Sequence, residues 1–182
     1  MKKVVPLFII IIFFLSNSAA SAATLYSAKP YMPSTKYLYS VYDEYAYPEK
    51  HVIFRCKKWD ADHLHCSRNE GMYTYRVTKT IFAFNDGGDT AIVTPYHFPL
   101  TKGKSYYKTG YEGMNSYNYS YKVIETNMKK KIGNKTYTNV IKIRNNYDKG
   151  FTYIAKNHGV ILITTKEKGK QVPIYKVKTY YK

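Results

Sequence analysis

From Tyr117 to Lys182 the chain alternates short β-branched and aromatic runs with glycine-containing turns, and no other feature restricts its fold as tightly. Val140-Ile-Lys-Ile-Arg144, Phe151-Thr-Tyr-Ile-Ala155, Val160-Ile-Leu-Ile163 and Ile174-Tyr-Lys-Val-Lys178 are separated by Asp148-Lys149-Gly150, Asn157-His158-Gly159 and Glu167-Lys168-Gly169. Runs of that length, closed by residues that tolerate positive φ, predict an antiparallel meander. Beyond the first 22 residues no stretch of a dozen repeats apolar positions at helical spacing. The expected fold class is therefore all-β: a curled sheet, half-barrel or barrel, with helix limited to a turn near Thr24 to Tyr31.

Within the meander Ile141 and Ile143 alternate with Lys142 and Arg144, and Tyr175, Val177, Thr179 and Tyr181 alternate with Lys176 and Lys178. A sheet patterned this way has one apolar face that needs a cover and one basic face. Lys142, Arg144, Lys176 and Lys178 are the candidate ligand-binding set. The strands before Pro95 are the candidate cover. They are expected at Lys36–Tyr45, at His51–Lys58 with a return at His63–Cys66 across the turn Trp59-Asp-Ala-Asp62, and as one long run from Met72 to Phe84. A turn at Asn85–Asp89 and a returning strand at Thr90–Thr94 should follow. Pro95–Pro99 reads as irregular, Ser105–Thr109 as a short strand and Gly110–Asn115 as a polar loop.

Lys2 and Lys3, the apolar run Val4–Leu15 and the small-residue stretch ending Ala20-Ser-Ala22 have the three parts of a secretory signal peptide, too short in its apolar part to span a bilayer. The expectation is a leader at 1–22 and one secreted β-domain at 23–182, made of disulfide-containing N-terminal strands (23–94) and the C-terminal meander (95–182), with no transmembrane anchor. Cys56 and Cys66 are the only cysteines; an even count in an exported chain predicts that they pair. The 29 basic residues, less the two in the leader, leave 27 against 12 acidic ones, a net charge of about +15. A field of that size favours polyanionic surroundings. A genome rich in A and T offers a second account, because it raises Lys, Asn, Tyr and Ile together.

Three stretches carry a family resemblance. Phe98-Pro-Leu-Thr-Lys-Gly-Lys-Ser-Tyr106 resembles the "F-P-L-x-x-G-x-x-W" entry of an all-β domain found in secreted and lipid-anchored proteins of Bacillus-type, Gram-positive bacteria. Lys135-Thr-Tyr-Thr-Asn-Val-Ile-Lys-Ile143 resembles its "G-T-F-x-N-V-I-x-V" strand, and Tyr153-Ile-Ala-Lys-Asn-His-Gly-Val-Ile161 its "Y-Y-A-x-G-V-G-L-V" hairpin. Tyr106 stands where tryptophan is usual, Lys135 where the first glycine is usual, and Asn157-His158 in place of the glycine-containing pair. The resemblance covers about residues 95–182 and implies a fold and a compartment; the family is mostly of unknown function and supplies no catalytic residue.

For chemistry the densest polar cluster is Asp60-Ala-Asp-His-Leu-His-Cys66. His63 and His65 would share a strand face about 6–7 Å apart, a spacing that suits a shared zinc, and they are the weak metal candidates beside the plainer reading of a solvated hairpin tip. No G-x-S-x-G elbow is present, His51, His97 and His158 are scattered, and Arg55, Arg68, Arg76 and Arg144 are dispersed. His158, between Asn157 and Gly159, reads as a turn residue. No cofactor is expected. The 22 tyrosines suit both half-buried sheets and glycan-binding surfaces. The sequence thus favours a non-enzymatic protein at an anionic cell-wall polymer or similar surface, with an amphiphile in the curve of the sheet as another ligand. The alternatives are a small basic hydrolase or nuclease and a secreted inhibitor or toxin directed at another protein.

Overall fold

The computed structural model describes residues 23–44, 47–68, 71–85, 95–112 and 115–181. They contain fourteen strands and no α-helix, with a single 3₁₀ turn at Lys29–Tyr31. Six strands, β2 (Leu38–Asp43), β3 (Tyr47–Lys58), β4 (His63–Arg68), β5 (Gly71–Val77), β6 (Ile81–Asn85) and β7 (Tyr96–His97), form a first meander. Six more, β9 (Ser105–Glu112), β10 (Asn115–Ile132), β11 (Lys135–Asn145), β12 (Phe151–Ala155), β13 (Gly159–Glu167) and β14 (Lys170–Tyr181), form a second. The last strand pairs with the first of the other set, Val177 opposite Val41, so the two meanders make one antiparallel sheet of twelve strands. Its end strands, β7 and β9, do not pair, and the sheet curls without closing into a barrel. The short strands β1 (Thr24–Leu25) and β8 (Leu100–Thr101) pair separately and tie the start of the described chain to the crossing between the meanders.

The inner face is covered by the first meander folding over the second. Tyr175 meets Tyr73 and Phe84 at ring-centroid distances of 5.6 and 5.3 Å. The Tyr96 hydroxyl, on β7, donates to Thr152 Oγ1 at 2.9 Å and lies 3.1 Å from Asn145 Oδ1, and the Tyr119 hydroxyl donates to the Pro95 carbonyl at 2.7 Å. Tyrosine suits this layer because its ring packs while its hydroxyl finds a partner on the facing strand. Ile141, Ile143 and Ile154 are fully buried beneath, as are Tyr39, Tyr73, Tyr75 and Tyr121. The sheet thus fills its own curve with aromatic rings, in the space an amphiphile would need.

Cys56 lies directly opposite Cys66 in the β3–β4 ladder and the two are disulfide-bonded, both buried. The bond fixes that hairpin's register, since a slip of one residue would turn Leu64 out of the core.

Three expectations change. The run Met72–Phe84 is two strands, because the Thr78 hydroxyl accepts the Thr80 and Ile81 amides and closes a turn that outweighs the β-propensity around it. The loop expected over Gly110–Asn115 is mostly strand: β9 runs to Glu112 and β10 starts at Asn115, the ladder pairing one with the other. Pro95–Pro99 contributes the two-residue strand β7 and a cis Phe98–Pro99 bond. The leader at 1–22 and the strand expected at Thr90–Thr94 lie outside the described residues.

Candidate functional site

The four basic residues chosen from the sequence lie on the outer face, and the ladder shows what stands between them. Lys142 on β11 is opposite Tyr153 on β12, Tyr153 opposite Leu162 on β13, Leu162 opposite Lys176 on β14, Lys176 opposite Tyr42 on β2, and Tyr42 opposite His51 on β3. Cross-strand partners project to the same side, so these six side chains form one row across six strands, roughly 24 Å long at the usual strand spacing. A second row runs Lys122, Arg144, Phe151, Thr164.

Lysine and aromatic side chains interlock along both rows. Lys142 Nζ sits 4.1 Å from the Phe151 ring centroid and 5.6 Å from that of Tyr153, over which Lys130 Nζ also stands at 4.7 Å. Lys176 Nζ is 6.0 Å from the Tyr42 ring, and Lys178 Nζ lies 3.4 Å from His51 Nε2. These contacts hold the ammonium groups over ring faces rather than against carboxylates. Burial lowers the Lys142 pKa, and Lys130 beside it lowers it further. The one carboxylate that continues the first row, Glu125 opposite Lys142, is taken by Lys102 at 2.7 Å, an ion pair that also holds the Glu125 carboxyl below its ordinary value. The remaining ion pairs among the described residues, Lys29–Asp62 and His63–Asp60, lie at the β3–β4 turn. Among the described residues the outer face is therefore a set of cations without acidic partners, spaced by rings.

Lys130, Tyr42, His51, Phe151 and Tyr153 also belong to this face and were not picked out from the sequence. The alternation of Phe151 and Tyr153 with Thr152 was a usable signal; the neighbours from β2, β3 and β10 were not legible, because strand pairing sets them.

The other sequence candidates stay apart. His63 and His65 point outward from β4, but His63 Nδ1 is held by Asp60 at 2.7 Å and the His65 ring packs edge-on against Trp59 at 4.2 Å. Among the described residues no group of three or more His, Cys, Asp or Glu side chains could hold a metal. Arg55, Arg76 and Arg144 are exposed on three different strands. His158 is the turn residue its neighbours imply, Asn157 and Gly159 taking φ of 64° and 69°.

Its ring, however, is packed among Tyr37, Tyr137 and Tyr180 at centroid distances of 5.2, 5.2 and 4.4 Å, and its Nδ1 has no partner. Burial pushes its pKa down to about 4. Between the ordinary value near 6.5 and about 4 the unfolded chain binds a proton that the folded chain refuses. Stability is therefore full above pH 6.5 and falls as the pH drops through that window. Allowing for partial solvent screening, denaturant titrations at pH 7 and pH 5 should differ by about 1 kcal/mol through this group. His158→Phe, which keeps a ring in the stack, should remove that difference; an unchanged difference would place the acid sensitivity elsewhere.

Comparison with family models, with curated proteins and with solved structures found no match.

Proposed function

We propose that the protein is secreted and acts as a non-enzymatic binding module whose outer sheet face holds an anionic polymer of the cell envelope. The observation that carries this reading is the cross-strand row from Lys142 to His51, in which Lys142 and Lys176 are spaced by Tyr153 and Leu162 and the carboxylate that continues the row, Glu125, is already paired. A chain of regularly spaced anions is a natural counterpart for such a row: the ammonium groups meet the charges, and the rings meet the apolar backbone between them. The net charge of about +15 left once the leader is removed adds a long-range attraction of the same sign. The disulfide and the absence, among the described residues, of a helix long and apolar enough to cross a membrane agree with an extracellular site of action. The resemblance of residues 95–182 to a domain of secreted Bacillus-type proteins points to the same compartment.

The test is retention on purified Gram-positive cell wall that carries its teichoic acid. The protein should sediment with the wall at low salt and be released as salt rises, because exposed charge pairs are screened. Replacing Lys142 and Lys176 together by Gln should weaken retention about thirtyfold, taking about 1 kcal/mol for each lysine near a polyanionic surface. A protein that stays in the supernatant at low salt overturns the reading, as does a double variant that binds like the parent.

A further inference from the structure

A second feature of the molecule is a groove beside the start of the described chain. The segment 23–31 lies beside interior positions of β10 and β11 and the end of β12 and leaves a groove of about 520 Å³, within the usual range of small-molecule sites. Its position is fixed by backbone contacts. The Ala28 amide donates to the Lys79 carbonyl at 3.0 Å, and the Asn157 amide, in the β12–β13 turn, donates to the Pro30 carbonyl at 2.9 Å. Tyr26 and Tyr31 line one side, and Thr126, Asn127, Asn139 and Lys156 contribute polar groups.

Those polar groups are idle within the protein. The Thr126 hydroxyl is buried in the lining without a hydrogen-bond partner. No described residue hydrogen-bonds the side-chain amides of Asn127 and Asn139 or pairs with Lys156. An unsatisfied buried hydroxyl costs a protein stability, and natural structures seldom keep one without a use. Asn139 also holds φ at 51° inside β11, a conformation that asparagine tolerates and most side chains do not, and such departures cluster at functional positions. No Asp or Glu lines the groove, and Lys156, with the α-amino group of Ala23 once the leader is removed, makes it cationic.

We propose that this groove binds a single anionic sugar, a hexose bearing a carboxylate or a phosphate. Lys156 meets the charge, the Asn127 and Asn139 amides and the Thr126 hydroxyl meet ring hydroxyls, and the apolar face of the sugar lies on Tyr26, which is 75% exposed. The site is separate from the outer face and does not depend on it.

The experiment is an NMR titration of ¹⁵N-labelled protein with glucuronate, glucose 6-phosphate, glucose and inorganic phosphate. Both charged sugars should saturate shifts at Thr126, Asn127, Asn139 and Lys156, with glucose about tenfold weaker. Lys156→Gln should weaken both charged sugars at least about threefold and leave glucose unchanged. Thr126→Val, which replaces the idle hydroxyl by a methyl group, should melt no lower than the parent and bind every sugar at least about threefold more weakly. The Lys142→Gln, Lys176→Gln protein should bind the sugars unchanged, which separates failure of this site from failure of the outer face. Phosphate binding as tightly as glucose 6-phosphate would mean an adventitious ion only. That result, shifts confined to the outer face, no saturation, or undiminished binding by Thr126→Val would each overturn the proposal.

Discussion

Taken above pH 10, the protein is expected to unfold over a narrow range while most of its core tyrosines are still protonated. Tyr26, Tyr107, Tyr147 and Tyr181 are exposed. The buried ones resist. Burial pushes Tyr31 and Tyr121 up to about 12 and holds Tyr39, Tyr75, Tyr96, Tyr119, Tyr137 and Tyr175 higher still, with neighbouring tyrosines adding to the shift in Tyr39, Tyr96, Tyr119 and Tyr175. A phenol whose folded pKa is raised contributes stability that is complete below pH 10 and is lost as the pH climbs towards the folded value. Each tenfold disfavouring of the phenolate is worth about 1.4 kcal/mol, so Tyr31 and Tyr121 alone, halved for solvent screening, remove roughly 3 kcal/mol by pH 12. That is a large part of the about 5–15 kcal/mol that holds a domain together, and the more deeply buried rings add to it. Absorbance at 295 nm should rise for the buried tyrosines in one steep phase that coincides with loss of the circular dichroism of the sheet. Titration of all the tyrosines near pH 10 with the sheet intact would contradict the packing described.

Replacing Gly150 by Ala is expected to lower the melting temperature by roughly 10 °C. A Cβ there would stand 1.8 Å from the Thr164 carbonyl oxygen and 2.8 Å from its carbon, both backbone atoms of β13. The neighbourhood has little room to yield. The Gly150 amide donates to Asp148 Oδ1 at 2.8 Å, its carbonyl accepts the Asn145 amide at 3.0 Å, and the Phe151 amide donates to Thr164 Oγ1 at 3.1 Å. Relief requires moving β12 away from β13 at the centre of the second meander. The cost should be about 3–5 kcal/mol, at the upper end for a single substitution, and each kcal/mol lowers the midpoint of a chain this size by about 2–4 °C. Gly169→Ala is the control: it meets nothing within 4 Å, and its φ of 83° should cost only about 1 kcal/mol. Equal melting temperatures for the two variants would mean that the close approach at Gly150 does not exist.

Local signals account for what the sequence shows of the candidate site. Ile141 and Ile143 against Lys142 and Arg144 place two cations on the outer side of β11 because side chains alternate along any strand. The same holds for Lys176 and Lys178 on β14. Their rings and neighbours belong to other strands. Lys130 reaches Tyr153 only because β10 bulges three times between Val123 and Lys130, and no residue pattern announces those shifts. The groove is further from legibility still, since its polar groups come from positions 126, 127, 139 and 156 and its wall from 23–31.

The residues by themselves determined the all-β class, the turns at Asp148–Gly150, Asn157–Gly159 and Glu167–Gly169, the pairing of the two cysteines and the sidedness of the last strands. Each follows from bond geometry or from a period of two, which act within a few residues. Only the tertiary structure decided that β14 joins β2, that the tyrosines are mainly a core and that cations and rings line up in rows. These depend on register and on contacts between residues a hundred positions apart, where the free energy of burying the whole inner face, rather than any local preference, selects the arrangement.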